Sequence, residues 1–371
     1  MKVLVAMSGG IDSSVTACLL QEQGHEVVGM RFSIWSDPLA PASAQLNRKC
    51  CDPQTLYRAN TVAQMLGIEM LHIDLQDEFK EKVVQPFLEE YRAGNTPNPC
   101  VLCNKVIKFD LLMRKASELK CDAIATGHYA RIVRDQSDGK TVYRLFDGKD
   151  VGKSQAYFLY TLTQEILAKT LFPLGELHKT DVMARGRALG IPLPKEYEES
   201  QDVCFYPEKE PQKFLTRHLK DSVKPGPIKS EDDKTIGMHK GLPLYTIGQR
   251  KGLDIGGLKI PLHVIKKNVK SNTLYVAPAG ADSESALHII SPNWIADTPK
   301  KSIELPLQAR ISSHGQKREG ILLHDDAHTE FHFATPVSGI APGQSAVFYD
   351  GDEIVGGGII EHAFSKPDKS A

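Results

Sequence analysis

A chain of 371 residues exceeds what one compact core usually organises, so two or three domains are expected. An apolar share of 41% and a charged share of 25% are those of an ordinary globular protein, and no apolar run approaches the roughly 20 residues that a membrane-spanning helix needs. A formal net charge of -1 neither requires nor excludes a nucleic-acid partner, because only the clustering of Lys and Arg on one face would decide that.

The opening run Lys2-Val3-Leu4-Val5-Ala6-Met7 reads as a core strand, not a signal peptide, because it turns directly into Ser8-Gly9-Gly10 without a cleavage site. A helical pattern follows over Ser14–Leu20 and closes near Gly24, and His25 to Phe32 returns as a strand. Residues 54–66 are helical up to Gly67, 68–73 are a strand, 104–119 a helix, and Ala123–Thr126 a further strand. This alternation predicts an α/β fold, a doubly wound parallel sheet over about the first 200 residues. Beyond Cys204 the texture changes. Residues 223–261 are rich in Gly and Pro, and from about 273 short strand-like runs appear at Leu274–Val276, Gly320–Leu323, Glu330–Phe333 and Ser345–Tyr349. They predict a small mixed domain and then a C-terminal β-barrel, dividing the chain into 1–206, 207–276 and 277–371.

Ser8-Gly9-Gly10-Ile11-Asp12-Ser13-Ser14 lies between the first strand and the first helix. Glycine lets backbone approach phosphate oxygens, and the helix start supplies free N–H groups and a positive dipole end. The hydroxyls of Ser8, Ser13 and Ser14 are candidate donors, and Asp12 is placed to hold Mg²⁺ or to cap the helix. The loop is neither a Walker A nor a GxGxxG motif, and without the Walker lysine it suits pyrophosphate release better than γ-phosphoryl transfer. It resembles the PP-loop of ATP pyrophosphatases, Rossmann-like enzymes that adenylate a substrate.

The seven cysteines are odd in number, in a long chain without a secretory signal, so a reducing cytoplasm and reduced thiols are expected. Pro97 and Pro99 frame Cys100-Val101-Leu102-Cys103 at the entry to a helix. Cys103 is expected near that helix's N-terminus with Lys105 and Lys108 following, features that favour a thiolate. Cys204, in Glu199-Ser200-Gln201-Asp202-Val203-Cys204-Phe205, could by itself be a core residue.

Taken in order, SGGIDSS, TPNPCVLCNKVIKF, ATGHYAR, SQAYFLYTL, LFPLGELHK, ESQDVCF, YTIGQRKGL and APGQSAVFYDGDEIVGGGII are similar to the bacterial tRNA-specific 2-thiouridylases, the MnmA family, from about residue 2 to 361. The resemblance implies an ATP-dependent sulfurtransferase that adenylates O2 of the wobble uridine in the tRNA anticodon. Cys204 would carry a persulfide loaded by an upstream sulfur-donor protein, and Cys103 would complete a Cys103–Cys204 disulfide as the thiolated base leaves. It implies that Ala6, Met7, Ser8, Gly9, Gly10, Ile11, Asp12 and Ser13 cradle ATP, with Phe32 and Gly127 beside the nucleotide. Asn98, Pro99 and Cys100 would lie against the target base, and His128, Lys153, Ser154, Gln155 and Gln344 at the tRNA. Many relatives have Asp where this chain has Cys100, so a carboxylate role does not transfer. Ser312-Ser313-His314 matches the family's Arg-Tyr-Arg tract only loosely.

Cys100, Cys103 and Cys204 together open a second sulfur route, a [4Fe–4S] cluster, and Cys50-Cys51 with Cys100 and Cys103 would be a zinc alternative. Thirteen histidines show no HExxH or tight cluster along the chain, so no catalytic zinc site is expected. The basic residues Arg131, Arg134, Lys140, Arg144 and Lys149, interrupted by aspartates, fit either a solvated hairpin or a phosphate-contacting edge. The loop Tyr245–Gly257 with Gln249, Arg250 and Lys251 likewise fits a structural loop or an RNA contact. Two rivals remain: a PP-loop enzyme adenylating a small molecule, which has no need of the distant cysteine, and a non-enzymatic zinc or iron–sulfur module, against which the intact loop argues.

Overall fold

The computed structural model describes residues 1–41, 53–137, 139–192, 203–256, 260–296, 304–325 and 328–365. Five parallel strands, β1 (Lys2–Ala6), β2 (Glu26–Ser33), β3 (Glu69–Asp74), β4 (Ala123–Ala125) and β7 (Thr170–Leu171), form one sheet in the order β3-β2-β1-β4-β7. The intervening β5 (Ala130–Ser137) and β6 (Lys140–Asp147) leave this sheet as an antiparallel hairpin. The central strand is apolar on both faces because both faces are covered. Val3 and Val5 pack with Ile11 and Val15 of α1 (Ile11–Glu22) and with Val182 of α6 (Lys179–Ala188). Leu4 points the other way, to Phe109, Leu112 and Ala116 of the long helix α4 (99–118). The doubly wound sheet expected from the sequence is therefore present.

Three further helices complete this half. α2 (Pro53–Leu66) opens on a proline, whose missing N–H has no partner to lose at a helix start. α3 (76–92) runs through a π-helical turn at Lys80–Val84. α5 (Gln164–Ala168) is capped by the Thr163 hydroxyl, which accepts from Ile166 N–H. α3 and α4 enclose a second, aromatic core of Trp35, Phe79, Phe87, Tyr91, Phe205, Tyr206 and Phe214, to which α7 (Gln212–His218) contributes.

The middle sheet has the order β10-β11-β8-β9, built from β8 (Gly226–Lys229), β9 (Thr235–His239), β10 (Leu262–Asn268) and β11 (Thr273–Pro278). Leu274–Val276, which falls inside 207–276, lies in β11 and packs on Ile228, Leu242 and Val264. A short run of alternating apolar residues records that one face is buried but not which sheet buries it.

The remaining strands, β12 (Glu284–Trp294), β13 (Leu305–Arg310), β14 (Arg318–His324), β15 (Thr329–Val337), β16 (Ser345–Asp350) and β17 (Glu353–Phe364), pair as β12-β15-β14-β13-β16-β17, and β17 returns to β12. This closed antiparallel barrel is the one the sequence predicts. The β5–β6 hairpin adds to its rim, Glu353↔Phe146 and Ile354↔Leu145. Arg144 reaches Glu353 at 2.8 Å and Asp135 at 3.0 Å, and Arg131 pairs with Asp352. Two of the five basic residues read as a phosphate edge thus join the first domain to the last. Lys317 of the barrel adds a 2.8 Å bond to the buried Asp147.

Candidate active site

The loop after β1 sits at the carboxyl end of the parallel sheet, where β2–β3 and β4–β7 depart on opposite sides of β1. Crevices at such a switch point are where open α/β sheets bind ligands. Gly9 has φ +79°, and a Cβ there would stand 2.0 Å from the Thr55 carbonyl oxygen, so only glycine allows α2 to come this close. Arg58 of α2 donates to the Gly9 carbonyl at 2.9 Å. Ser13 and Ser14 donate to the Gly10 carbonyl at 3.1 and 2.9 Å, and Ser14 is fully buried. Ser8, the exposed one of the three, joins the same turn, its Oγ accepting from Gly10 N–H at 3.3 Å and lying 3.3 Å from Ser13 Oγ. Ala6 ends β1, Met7 and Ile11 are buried beneath the loop, and Gly10 caps α1. A Cβ on Gly127, just past β4, would meet the backbone of Asp12 and Ser13 at 3.0 Å, so that residue lets β4's loop lie on the start of α1. Phe32 closes β2 and packs against both the sheet core and the aromatic core.

Asp12 does not stand alone. Lys179, buried at the start of α6, puts its Nζ 2.7 and 2.8 Å from the two Asp12 oxygens, and the Tyr129 hydroxyl donates to Oδ1 at 2.8 Å. Lys179 also lies 5.5 Å from the Tyr129 ring centroid. The sequence reading missed Lys179 and Tyr129. Their signals were the lysine ending LFPLGELHK and the tyrosine of ATGHYAR, neither of which spacing ties to the loop.

The cysteine segment is built for rigidity. The Asn98 side chain accepts from Val101 N–H at 3.3 Å, and Pro99 occupies the first helical position of α4. Cys100 therefore occupies the first turn, exposed, whereas Cys103, expected there, is one turn further in and buried. A π-helical turn, Asn104–Phe109, follows at once, a distortion frequent at functional sites. Asn104 donates to the Phe158 carbonyl at 3.1 Å, while its buried Oδ1 lacks a partner among the described residues.

Cys204 packs against the same aromatic core that contains Cys103, so the fold brings these two distant cysteines into one cluster. Its neighbour Phe205 is held edge-on by Phe87 at 5.2 Å and Phe79 at 5.9 Å. The Phe205 carbonyl accepts from Asp37 N–H at 3.1 Å. Asp37, itself fully buried, binds Arg217 at 2.5 Å and His218 at 2.8 Å, and Arg217 also reaches Glu208 at 2.6 Å. This network fastens the segment carrying Cys204 to the loop after β2.

Several residues expected at the tRNA have partners within the chain. His128 is buried, stacked on Phe109 at 5.9 Å and bonded to the Thr126 hydroxyl at 2.6 Å. Burial, reinforced by Lys108, holds its pKa well below the usual imidazole range. Ser154 donates to Asp147 at 2.6 Å, and Gln155 accepts from Tyr129 N–H at 3.2 Å; Lys153, half-buried, precedes them in a 3₁₀ turn. Gln344 of the barrel donates to the Thr96 carbonyl at 3.0 Å, and Thr96 N–H returns a bond to Pro342 at 2.8 Å. The barrel thereby grips the strand of chain leading into Cys100. Gln249 is similarly occupied with Thr246 and Lys251 of its own loop. Cys50, Cys51 and the stretch preceding Val203 lie outside the described residues.

Three family models match the chain end to end: tRNA methyl transferase HUP domain over residues 1–208, tRNA methyl transferase PRC-barrel domain over 212–278, and Aminomethyltransferase beta-barrel domain over 284–360. The tRNA-specific 2-thiouridylase MnmA of Geotalea uraniireducens is 41% identical over 98% of this chain and 95% of its own length. The chain belongs to the MnmA family. The MnmA 1 protein of Caldanaerobacter subterraneus is likewise 41% identical, over 97% of this chain and 98% of its own. The MnmA protein of Magnetococcus marinus is 40% identical over 97% and 98%. A solved 4-thiouridine synthetase–RNA complex with bound ATP superposes with a TM-score of 0.34 at 14% identity, covering 59% of this chain and 50% of that one, too loosely to argue from.

Proposed function

We propose that this protein is a tRNA-specific 2-thiouridylase, using ATP to activate a uridine and a cysteine persulfide to replace its O2 with sulfur. The observation carrying this reading is the placement of two chemistries on neighbouring strands of one sheet edge. The SGGIDSS loop follows β1, and the cluster of Cys103 and Cys204 lies beyond β2, whose Phe32 packs against both the sheet core and the core that holds the cysteines. A small-molecule adenylating enzyme would need the first without the second.

The chemistry divides between them. Uridine O2 attacks the α-phosphorus of ATP, and pyrophosphate leaves; O2, a poor leaving group on its own, becomes part of AMP. The loop backbone and the start of α1 offer N–H donors to the phosphates, and Lys179, poised by Asp12, offers a cation. The terminal sulfur of a Cys204 persulfide attacks C2 and AMP departs, leaving the base joined to Cys204 through a disulfide. The Cys103 thiolate then attacks the Cys204 sulfur. The base leaves as a 2-thiouridine, and the two cysteines, now oxidised to a disulfide, await a two-electron thiol reductant. A sulfur-donor protein must reload Cys204, whose partial exposure leaves it open to such a partner.

The [4Fe–4S] route would use Cys100 as a third thiolate. Cys100 is exposed, and among the described residues the three sulfurs do not gather within 4.8 Å of one another, so the two-cysteine relay is the reading put forward. The middle sheet and the barrel, taken as 207–276 and 277–371, serve as the cradle for the tRNA while its target base is extruded toward Asn98 and Pro99.

The deciding experiment incubates the protein with unmodified tRNA, ATP and a persulfide donor, and analyses the nucleosides by mass spectrometry. ATP-dependent 2-thiouridine is the expected product. Pyrophosphate release without tRNA, together with no thiolated base, would overturn the assignment in favour of a small-molecule ligase.

A further inference from the structure

No histidine cluster is visible along the sequence, but the barrel assembles one across its strands. His288 of β12 stands opposite Glu330 of β15 on one side and His362 of β17 on the other. Residues directly opposite in an antiparallel pair share a face. Strict alternation would turn Glu361 to the opposite face from His362. The register between β12 and β17 shifts here, from His288↔His362 to Ile289↔Ile360, so Glu361 is the extra residue of a bulge. Bulges re-aim side chains, and this one brings Glu361 round to His288.

Glu361 Oε2 lies 3.0 Å from His288 Nδ1 and 3.5 Å from His362 Nδ1. One ligand atom from each of the three residues falls within 4.8 Å of the other two. Metal–donor bonds of about 2.0–2.1 Å in a tetrahedral shell place neighbouring donor atoms about 3.3 Å apart. The spacings around Glu361 already match that edge. A third imidazole, His328, has its ring centroid 5.9 Å from that of His288. Among the described residues, the buried His288 Nε2 has no hydrogen-bond partner, so the ring is held only through its Nδ1 and Glu361.

We propose that His288, Glu361 and His362 form a binding site for a divalent transition metal of the zinc class on the outer face of the barrel. Two imidazoles and a carboxylate select such ions over Mg²⁺ or Ca²⁺, which prefer all-oxygen shells. The site bridges β12 and β17, the pairing that closes the barrel. A bound ion fastens that seam and leaves a coordination position for His328 or water. This role is independent of the thiolation chemistry.

The test titrates Zn²⁺ and Co²⁺ into the full-length protein and into His362→Ala and Glu361→Gln variants, whose altered side chains are about half exposed and so endanger the fold little. Wild type should take one equivalent of zinc at this site in competition with a chromophoric chelator. Each variant should lose affinity by about tenfold or more, since even partners behind the ligands typically contribute that much. Zinc should raise the melting temperature of wild type more than that of either variant. The Co²⁺ complex should show a tetrahedral visible spectrum without the sulfur-to-metal charge-transfer band that cysteine ligation produces. Zinc held equally tightly by both variants, a thiolate charge-transfer band as the sole signature, or no stoichiometric metal in wild type would each overturn the proposal.

Discussion

The Lys179 ammonium lies 2.7 and 2.8 Å from the two oxygens of Asp12, pinning the first residue of α6 to the first turn of α1 beside the nucleotide loop. The pair sets an ammonium beside SGGIDSS, a loop with no lysine of its own. Lys179→Met should leave tRNA binding intact and slow pyrophosphate release by about 10²–10³, the usual cost of removing one charge-stabilising donor. Asp12→Asn should slow the same step by freeing Lys179 from its position. Unchanged single-turnover adenylation in Lys179→Met would remove this lysine from the chemistry.

Cys103→Ser and Cys204→Ser should each abolish 2-thiouridine formation while tRNA-dependent pyrophosphate release survives. The two sulfurs act after activation, and serine cannot carry or resolve a persulfide. Cys100→Ser should thiolate at near wild-type rate. Nucleoside mass spectrometry and a pyrophosphate assay on the same samples separate the two half-reactions; a dead Cys100→Ser would shift the weight to the three-thiolate route.

Gln344 holds the carbonyls of Thr96 and Pro97 at 3.0 and 3.4 Å from a different domain. Gln344→Ala should loosen the entry to α4 and lower kcat more than it raises KM for tRNA. The loop's geometry matters most when base and sulfur meet, and misplacement by an ångström or so is costly there. A pure KM effect would mean that Gln344 touches tRNA rather than positioning the loop.

The sheet was legible because its strands are short apolar runs separated by helices with clear stops, such as Gly24 and Gly67, both at positive φ. The loop and the cysteines were legible because their chemistry needs particular residue types at fixed spacing. What escaped is what only three dimensions bring together. Lys179 meets Asp12 across the domain, Gln344 bonds backbone rather than facing solvent, and a one-residue bulge turns Glu361 toward His288. Leu274–Val276 shows a related limit, since alternation marks a buried face without naming the sheet that covers it.

Asp37 is buried against Arg217 and His218, and the network secures the chain just after Cys204. Asp37→Ala should destabilise the protein by about 3 kcal/mol, the lower end for breaking a buried pair, because Arg217 keeps Glu208. Urea melts give that value directly. Protease sensitivity should rise around residues 203–218 first, and a uniform loss without local sensitivity would show that the network supports the fold generally.

His128 supplies a pH dependence with a definite sign. Burial between Phe109 and Phe172, with Lys108 nearby, keeps its folded pKa well below the usual imidazole range. In the unfolded chain the ring titrates normally. Below about pH 6.5 the unfolded state therefore binds a proton that the native state refuses, and stability falls as pH drops. The contribution is fully present above the unfolded pKa and declines toward the folded one, by at most about 1.4 kcal/mol per pH unit. His128→Phe keeps the stacking and removes the titration. Urea melts between about pH 5 and 7 should give a shallower decline for this variant than for wild type. The remaining slope should include His239, whose pKa is also lowered by burial. Parallel curves for the two proteins would mean that His128 is protonated in the native state, contrary to its surroundings.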